Sequence, residues 1–514
     1  MFDGDLLAER ARVTPDRLAL VSVETGERLT YAQLNDRAER AATAILAAGV
    51  APGDRFGILG HNSVDYVAFF FGAGKTGGIV VPLSTRATAH ELSLIVADCG
   101  MRVLFFSDDF AEVAGQLSVV GQLSVVGQLS VVGCRLSVPP TPAPTTDNPQ
   151  PTTDSQPTTD SQPTTDPQPT TDSQPTTPYA LLYTSGTTGK PKGVMIPRRQ
   201  LLANGYNTVI NWGLRDDDVS PVFTPMYHAG GLAAFLIPIF CAGGTIVLHK
   251  GFDPSEVWRT IEKEGCTVVL GVPTIWKMLM DAPEFPEVRL DQVRWLISGG
   301  APLPAFIIAA YQQRGVVFKQ GYGMTEVGVN CFTMTAEESV RKPGSIGRPM
   351  LFTAVELRDV DEHGVGEMHI RGPHVSSGYW NNAEATREAY LDGGWFRTGD
   401  LARRDEEGFF YIAGRRKEMF ISGGVNVYPA EIEAELVSHP AVNDAAVVAV
   451  PDQTWGEVGV AFVVAQNVSS EELGSYLTQR ISRHKIPKQF IFLDSLPRTP
   501  YGKVEKVKLR ERLP

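Results

Sequence analysis

The chain has 514 residues, 43% of them hydrophobic and 20% charged, and its formal net charge is -12 at pH 7. A chain of this length exceeds one compact core, so we expect two or three domains with ordinary buried interiors. The negative balance argues against a broad nucleic-acid-binding surface, which needs clustered Lys and Arg, but it leaves room for a local phosphate site.

The cysteines and the N-terminus indicate a reducing compartment. The five cysteines are scattered, odd in number and never spaced as CxxC, which argues against a disulfide framework or a zinc site. The first ten residues, MFDGDLLAER, are acidic and lack the apolar stretch of a signal peptide. We therefore expect a cytoplasmic protein.

The first hundred residues alternate helical and strand patterns. Helical spacing covers residues 34–48 and 91–98, and short apolar strands are predicted at 55–59, 78–82 and 103–106. Strands that alternate with helices predict parallel βαβ units and therefore an α/β fold.

Two tandem repeats follow. Residues 115–132 are three copies of GQLSVV, and residues 151–174 are four hexads of the form PTTDxQ. The Pro/Thr/Asp/Gln block has too few apolar side chains to offset its ordering entropy, so a disordered, polyproline-II-like loop is predicted, with a partner-binding segment as the alternative. The GQLSVV copies are apolar enough to pair as strands or to aggregate.

Further along, one segment imitates a membrane span. Residues 230–248 carry no charge and are about long enough to cross a bilayer. Pro238 and the pair Gly243-Gly244 divide the segment, however, so a buried helix and strand are predicted instead. The last hundred residues have the pattern of a separate α+β unit, with helices at 428–438 and 471–483 and strands at 442–450 and 460–464.

The motif YTSGTTGKPKG at 183–193 carries the clearest chemistry. It follows an apolar strand and combines glycines, hydroxyl groups and two lysines, which together suit a polyphosphate. It is not a Walker A loop, because only two residues separate Gly186 from Gly189 and Pro191 follows the lysine. The alternative is a flexible surface loop.

This motif resembles the phosphate loop of the adenylate-forming superfamily, which includes acyl-CoA synthetases, peptide-synthetase adenylation domains and firefly-type luciferases. The later segments SGGAP (298–302), GYGMTE (321–326), WFRTGD (395–400), GRRKE (414–418) and PRTPYGK (497–503) resemble its other motifs in the same order. The resemblance implies a large N-terminal α/β domain of several subdomains with mixed and parallel sheets, residues 1–412, which here carries the low-complexity insert 115–178. It also implies a small mobile α+β domain, residues 413–514.

The resemblance also implies an ATP and Mg²⁺ site. Tyr322 offers a flat face for the adenine, Glu326 is a hard oxygen ligand for Mg²⁺, and Asp400 suits the ribose hydroxyls. The residues implied in ATP binding are Thr184, Ser185, Gly186, Thr187, Thr188, Gly189, Lys190, Gly299, Gly300, Ala301, Tyr322, Asp400 and Arg415. Thr325, Glu326 and Lys503 are implied in catalysis, and Glu326 is the metal ligand.

Lys503 is the residue expected to drive adenylation, because a cation relieves the repulsion between a carboxylate and the α-phosphate. The resemblance places a hinge at Lys417 and a coenzyme A channel at Gly423 and Gly424, for which a plain turn is an equal alternative. His228 is expected to border the acyl pocket, and no general base is needed for a carboxylate nucleophile.

The predicted function is an ATP-dependent acyl-CoA synthetase that works through an acyl adenylate. One alternative is a stand-alone adenylating enzyme that loads a separate carrier protein, and another is a non-catalytic nucleotide-binding scaffold. The expected pocket segments, residues 232–237, 271–276 and 327–330, are mostly apolar or small without a basic anchor, which favours a medium- or long-chain fatty acid or an aromatic acid. Partners are therefore the acid, ATP and coenzyme A, with no nucleic acid and no transmembrane segment; peripheral membrane contact and the oligomeric state stay open.

Overall fold

The computed structural model describes residues 4–119, 123, 125–130, 136–137, 177–184, 191–301, 303–498 and 504–513. Across these residues the protein is α/β, with a large N-terminal part of several sheets and a small α+β part at the C-terminus. The Pro/Thr/Asp/Gln loop predicted from the hexads lies outside the described residues.

A seven-stranded sheet forms the centre of the N-terminal part. Its strands lie in the order Leu136–Ser137, Val125–Gln128, Val103–Phe106, Arg55–Leu59, Ile79–Pro82, Ala180–Thr184 and Lys192–Ile196. The second to sixth strands run parallel, and both edge strands pair antiparallel with their neighbours. The three strands predicted between residues 55 and 106 are confirmed, and the helix Val64–Thr76 connects two of them.

Polar caps set the starts of the two predicted helices. The helix predicted at 34–48 spans Tyr31–Ala47, because Thr30 accepts a hydrogen bond from the Gln33 backbone and Gln33 caps in return. The helix predicted at 91–98 spans Ala89–Cys99 and has the same reciprocal capping hydrogen bonds at Thr88. Apolar spacing located both helices but placed their starts two or three residues late, because capping residues are polar.

Part of the GQLSVV repeat belongs to the sheet. Val125–Gln128, from the second and third copies, pairs in parallel with Val103–Phe106. Leu123 and Leu129 of the same copies are buried. The prediction that these copies can pair as strands is therefore confirmed for this segment.

Two further sheets belong to the N-terminal part. One has the order Val219–Val222, Thr245–Leu248, Leu18–Ser22 and Arg28–Thr30, and the other has the parallel strands Val268–Gly271, Trp295–Ser298 and Phe318–Gln320. The remaining N-terminal helices are Leu6–Val13, Ala111–Val119, Arg198–Trp212, Ala229–Gly231, Ile237–Ala242, Pro254–Lys263, Pro273–Asp281, Ala305–Gln313, Ala336–Arg341 and Ala383–Ala389. 

The membrane-like segment 230–248 is divided as predicted. A helix ends at Gly243, whose φ is 92°, and the strand Thr245–Leu248 follows. Its apolar side chains are buried in the core. Within the described ranges, no helix is both long and apolar enough to cross a membrane.

An antiparallel sheet leads to the C-terminal part. It has the order Ala354–Arg358, Val365–Arg371, Trp395–Arg404 and Tyr390–Leu391, and Phe410–Arg415 also pairs with Trp395–Arg404; a small ladder joins Phe332–Thr333 to Arg348–Pro349. The boundary expected between residues 412 and 413 falls inside the strand Phe410–Arg415, and separate packing begins near Phe420.

The C-terminal part has its own sheet and core. The strands Val425–Val427, Phe420–Ser422, Gly456–Ala465 and Val442–Asp452 lie in that order, Gln489–Phe492 pairs with Gly456–Ala465, and the helices are Pro429–Val437, Ser470–Thr478 and Lys506–Arg510. Ile432, Leu436, Val463 and Leu473 are buried together. The predicted α+β unit is thus confirmed, except that the helix predicted to reach residue 483 ends at Thr478, before a short 3₁₀ turn at Arg483–Lys485.

Candidate active site

The ends of the predicted phosphate loop are fixed by two antiparallel strands. Thr184 pairs with Lys192 in the register of this hairpin. The Lys192 ammonium lies 5.1 Å from the centre of the Tyr379 ring, and the Trp380 N–H donates to the Gly193 carbonyl at 2.7 Å. Six residues that the resemblance implies in phosphate binding lie outside the described residues: Ser185, Gly186, Thr187, Thr188, Gly189 and Lys190.

The predicted metal ligand lies beside this hairpin. Glu326 is buried in a 3₁₀ turn, and the Tyr379 hydroxyl donates to its Oε1 at 2.9 Å. Burial and the nearby Glu326 carboxylate raise the pKa of Tyr379, so its hydroxyl stays protonated as a donor. Tyr379 therefore joins the phosphate-loop base to Glu326, a link that no sequence motif indicated.

The chemistry of this site fits Mg²⁺ held partly by phosphate. Within the described part of the chain, no group of three or more His, Cys, Asp or Glu side chains could hold a metal ion. Mg²⁺ commonly takes one or two carboxylates and completes its shell with phosphate oxygens and water. One buried carboxylate, Glu326, next to the phosphate-loop base matches that pattern.

The predicted ribose residues are cross-strand neighbours. Asp400 and Arg415 are directly opposite in an antiparallel pair, and the Arg415 Nε lies 3.3 Å from the Asp400 Oδ1. The Tyr322 hydroxyl donates to the Asp400 Oδ2 at 2.6 Å, and burial together with the Asp400 charge raises the pKa of Tyr322. Tyr322 therefore contributes its hydroxyl to the site, while its ring packs edge-on against Phe332. Tyr322, Asp400 and Arg415, with Glu326 and Tyr379, are called the strand-end site below.

The remaining nucleotide motifs follow the carboxyl ends of two adjacent parallel strands. Gly299, Gly300 and Ala301 directly follow the strand Trp295–Ser298, and Gly321 follows Phe318–Gln320 and donates its N–H to the Ser298 carbonyl at 2.8 Å. Gly300 has a φ of 83°, which favours glycine. Ligands in open α/β sheets bind outside the carboxyl ends of the strands, where these residues lie.

A small cavity lies beside Thr325. Its volume is about 10 Å³, and we call it the inner cavity. Its lining side chains and glycine come from the phosphate-loop strands, the helix Arg198–Trp212, the segment after His228 and the segment after Glu326: Leu182, Ile196, Gln200, Leu201, Asn204, Ala229, Ala233, Thr325, Gly328 and Val329. Two of the three pocket segments expected from the sequence contribute to it.

The third expected pocket segment packs elsewhere. Trp276 is fully buried against Tyr311 and Phe318 in the second hydrophobic core. Gly271 faces the Trp276 ring, so both ends of the segment serve packing, and none of its residues lines the inner cavity.

His228 lies at the start of the short helix Ala229–Gly231. Its Nδ1 accepts the Gly230 N–H at 3.1 Å, which places the ring proton of the neutral form on Nε2. The loop before it is fixed by Asn62, whose side chain donates to the Thr224 carbonyl and accepts from the Met226 N–H. Asn62 was missed by sequence reasoning, because it lies 164 residues from Met226.

The hinge motif links the two parts of the molecule. The Arg416 N–H donates to the Gly399 carbonyl at 2.9 Å, and the Arg416 guanidinium pairs with the buried Glu367 of the N-terminal part. Burial, with Arg415 nearby, lowers the pKa of Lys417. Lys503 lies outside the described residues.

Gly423 and Gly424 form a tight turn. They connect the paired residues Ser422 and Val425, with φ values of 60° and 83°, which is the two-residue hairpin geometry that glycine favours. A Cβ on Gly423 would lie 2.8 Å from the Trp455 ring. Turn geometry therefore accounts for both glycines, and a channel role for them stays a prediction.

Comparisons with known proteins show which family the chain is similar to. A model of the AMP-binding enzyme family matches residues 7–380, and a model of the AMP-binding enzyme C-terminal domain matches residues 431–503. A feruloyl-CoA synthase of an Amycolatopsis species is 37% identical over 99% of this chain and 98% of its own length. The long-chain-fatty-acid–CoA ligase FadD13 of Mycobacterium tuberculosis is 38% identical over 99% and 98%.

A solved structure is similar over the whole chain. The o-succinylbenzoate coenzyme A synthetase MenE of Bacillus subtilis, in complex with ATP and a magnesium ion, has a TM-score of 0.83 and 30% sequence identity. The match covers 98% of this chain and 99% of that one.

Proposed function

This chain belongs to the AMP-binding enzyme family and is an acid–thiol ligase that uses ATP, Mg²⁺ and coenzyme A, and we infer that it activates a medium- or long-chain fatty acid or an aromatic acid. The observation that carries the ATP-dependent reaction is a pair of contact series near the phosphate-loop base. One runs from Lys192 through Tyr379 to Glu326, and the other from Tyr322 through Asp400 to Arg415.

In the first half-reaction, a carboxylate oxygen of the acid forms a bond to the α-phosphorus of ATP. The bond from that phosphorus to pyrophosphate breaks, and an acyl adenylate and pyrophosphate result. Lys503 and the phosphate loop supply positive charge and donors where negative charge accumulates. Thr325 donates to the α-phosphate, and Glu326 would hold Mg²⁺ together with phosphate oxygens, where the ion would neutralise negative charge.

Nucleotide positioning is assigned to the strand-end site. Asp400 accepts hydrogen bonds from the ribose, because each carboxylate oxygen has lone pairs beyond those used by Tyr322 and Arg415. Tyr322 and the segment Gly299–Ala301 border the adenine. Since Asp400 and Arg415 are fixed opposite each other by the strand register, they need little reorganisation when ATP binds.

In the second half-reaction, the thiolate sulfur of coenzyme A adds to the acyl carbonyl carbon and AMP leaves. We assign the change between the two steps to rotation of the C-terminal part about Lys417. A Lys417→Pro substitution, which fixes φ, should then leave one half-reaction intact and stop the other. Unchanged overall turnover of this variant would exclude Lys417 as the hinge.

The choice of acid rests on two relatives and on the side chains around the inner cavity, which would have to widen from about 10 Å³ to admit an acyl group. Apart from Gln200, Asn204 and Thr325, the cavity lining consists of aliphatic residues and glycine, and it includes no charged side chain. The relatives above are named for feruloyl-CoA and for long-chain fatty acids. The uncharged lining and the names of these two relatives support an uncharged acyl group.

The experiment is pyrophosphate release from a panel of acids with and without coenzyme A, with acyl-CoA measured by mass spectrometry. Fatty and aromatic acids should release pyrophosphate and give acyl-CoA, whereas acetate should be a poor substrate. Pyrophosphate release without acyl-CoA would favour a carrier protein as acceptor. ATP binding without release from any acid would favour the scaffold.

A further inference from the structure

One carboxylate of the N-terminal part receives hydrogen bonds from the C-terminal part. Asp361 lies in the turn between the antiparallel strands Ala354–Arg358 and Val365–Arg371. The Tyr428 hydroxyl donates to its Oδ2 at 2.9 Å, and the Asn426 side-chain amide donates to the same oxygen at 3.2 Å. Both donors follow the hinge motif in the chain, so these bonds join the two parts of the molecule.

The two oxygens of Asp361 have separate partners. Oδ1 accepts the His363 N–H at 2.9 Å and the Val365 N–H at 3.0 Å, which are bonds within its own turn. These local bonds fix the carboxylate and leave Oδ2 for Tyr428 and Asn426. Burial and the Asp361 carboxylate raise the pKa of Tyr428 to about 12, so its hydroxyl stays protonated as a donor. Hydrogen bonds to an ionised carboxylate are roughly twice as strong as those between neutral groups.

Apolar side chains from both parts surround the Tyr428 ring. Tyr428 is buried with Val365 and Leu401 of the antiparallel sheet, and Met419 packs against them. The backbone at Gly414 passes close by, since a Cβ built there would lie 3.8 Å from the Tyr428 Cβ. The hydrogen bonds to the carboxylate therefore lie beside a packed contact between the two parts, where they are better shielded from water than at an open surface.

This orientation also brings the C-terminal helix close to the strand-end site. Both the Asp400 carboxylate and the Arg510 guanidinium act on the charge of Lys417. Arg510 ends the helix Lys506–Arg510, and Lys503 lies three residues before that helix in the sequence. A C-terminal helix close to the nucleotide residues is the arrangement that adenylation by Lys503 requires.

Building on the proposed function, we propose that Asp361 is a positioning residue that holds the C-terminal part in the orientation for adenylation through Tyr428 and Asn426. Rotation about Lys417 carries both donors away from the carboxylate, because they follow the hinge and Asp361 precedes it. The bonds to Asp361 then break before coenzyme A attacks. They therefore favour the first half-reaction over the second.

The test removes the acceptor or the donor and keeps the local geometry. Asp361→Asn keeps the Oδ1 acceptor for the turn and replaces Oδ2 with an NH₂ group, which cannot accept a hydrogen bond. Tyr428→Phe keeps the buried ring and removes the hydroxyl. Tyr411→Phe is the matched control, because the Tyr411 hydroxyl bonds to Asp405 at 3.4 Å within the N-terminal part.

The two half-reactions are measured separately with full-length enzyme and the most active acid. Single-turnover pyrophosphate release measures adenylation, and acyl-CoA formation from supplied acyl adenylate and coenzyme A measures the second step. Asp361→Asn and Tyr428→Phe should each slow pyrophosphate release by about three- to tenfold, since a bond to a charged group is lost. Neither should slow acyl-CoA formation from the adenylate, and Tyr411→Phe should change neither step. If Asp361→Asn does not fold, Tyr428→Phe decides.

The ratio of the two rates separates positioning from a general loss of structure. Four results, with acyl-CoA still formed by the wild type, would overturn the role of Asp361 and leave the proposed function intact. These are equal slowing of both steps, no slowing of either, slowing of the second step alone, or the same selective loss in Tyr411→Phe. Absence of pyrophosphate release from the wild type with every acid would overturn the proposed function as well.

Discussion

The strand-end site and the inner cavity lie side by side, yet they use their polar atoms differently. In the strand-end site, Tyr322, Asp400 and Arg415 are joined to one another, as are Tyr379 and Glu326. In the inner cavity, the amide of Gln200 has one atom without a partner among the described residues. The polar groups of the strand-end site are therefore paired without a ligand, whereas the inner cavity is lined by a residue with one unpaired buried oxygen. Changes at the strand ends should therefore affect all acids equally, and changes at the cavity should depend on the acid.

The largest effect is expected at Lys503. Lys503→Ala should slow adenylation by about 10²–10³ with every acid, because one charge-stabilising donor is lost. It should leave the attack of coenzyme A on supplied acyl adenylate nearly intact. The half-reactions are measured separately by pyrophosphate release and by thioester formation, with Lys508→Ala, an exposed lysine nearby in sequence, as control. An equal loss in both half-reactions would contradict separate roles for the two orientations of the C-terminal part.

A smaller effect, which again should be the same for every acid substrate, is expected at Tyr379. Tyr379→Phe removes the hydroxyl that donates to the Glu326 carboxylate, and a hydrogen bond to a charged group is worth about 1.5–3 kcal/mol. We expect about a tenfold or greater loss of kcat/KM for MgATP. Tyr390→Phe is the matched control, since Tyr390 packs against the Tyr379 ring but is hydrogen-bonded to Ser376. If the loss at Tyr379 differed between acids, the division between the two regions would not hold.

His374 is bound to the segment that follows Glu326 and gives a pH dependence of stability. Its Nδ1 lies 2.5 Å from the carbonyl of Val327, which follows Glu326, and its Nε2 lies 2.9 Å from the Thr353 hydroxyl. Burial, with Arg199 nearby, lowers the pKa of His374 below its usual value, so the folded protein holds the ring neutral. Below about pH 6.5 the unfolded chain therefore binds more protons than the folded protein does. The free energy of unfolding should consequently decrease as the pH falls.

Replacing His374 should make that dependence shallower. The slope lost in His374→Gln can be no more than about 1.4 kcal/mol per pH unit, the limit for one proton. The measurement is urea unfolding between about pH 5 and pH 8, with the exposed His363 replaced in the same way as control. Identical slopes for the wild type and His374→Gln would show that His374 is not the titrating group.

The smallest effect is expected in the Pro/Thr/Asp/Gln block. Replacing residues 149–176 with a short Gly/Ser linker should change the free energy of unfolding by about 1 kcal/mol or less, because loop-closure cost varies only logarithmically with length. Acyl-CoA formation should not change with any acid. A contrasting variant is Leu129→Ala in the GQLSVV copies, which removes a buried side chain and should cost about 2–5 kcal/mol. A large drop in melting temperature for the linker variant would mean that the block folds against the body.

The sequence predicted secondary structure correctly where the residues of one segment determine the geometry of that same segment. The strands at 55–59 and 103–106 have the predicted bounds, and the C-terminal α+β unit is present with one helix shorter than expected. Gly423 and Gly424 show where local sequence was ambiguous, since the same two glycines suit a channel or a turn and the backbone forms a tight turn.

The amino-acid sequence by itself determined the family motifs, their order and hence the residues expected around ATP, because those motifs are short and contiguous. Only the tertiary structure decided that Tyr379 holds Glu326, 53 residues away, and that Gln200 reaches Thr325 across 125 residues. It also decided that the helix Arg198–Trp212 brings a polar layer to a pocket expected to be apolar. The physical reason is that a hydrogen bond depends on where folding brings two atoms, and helices and sheets bring together residues whose separation along the chain leaves no local pattern.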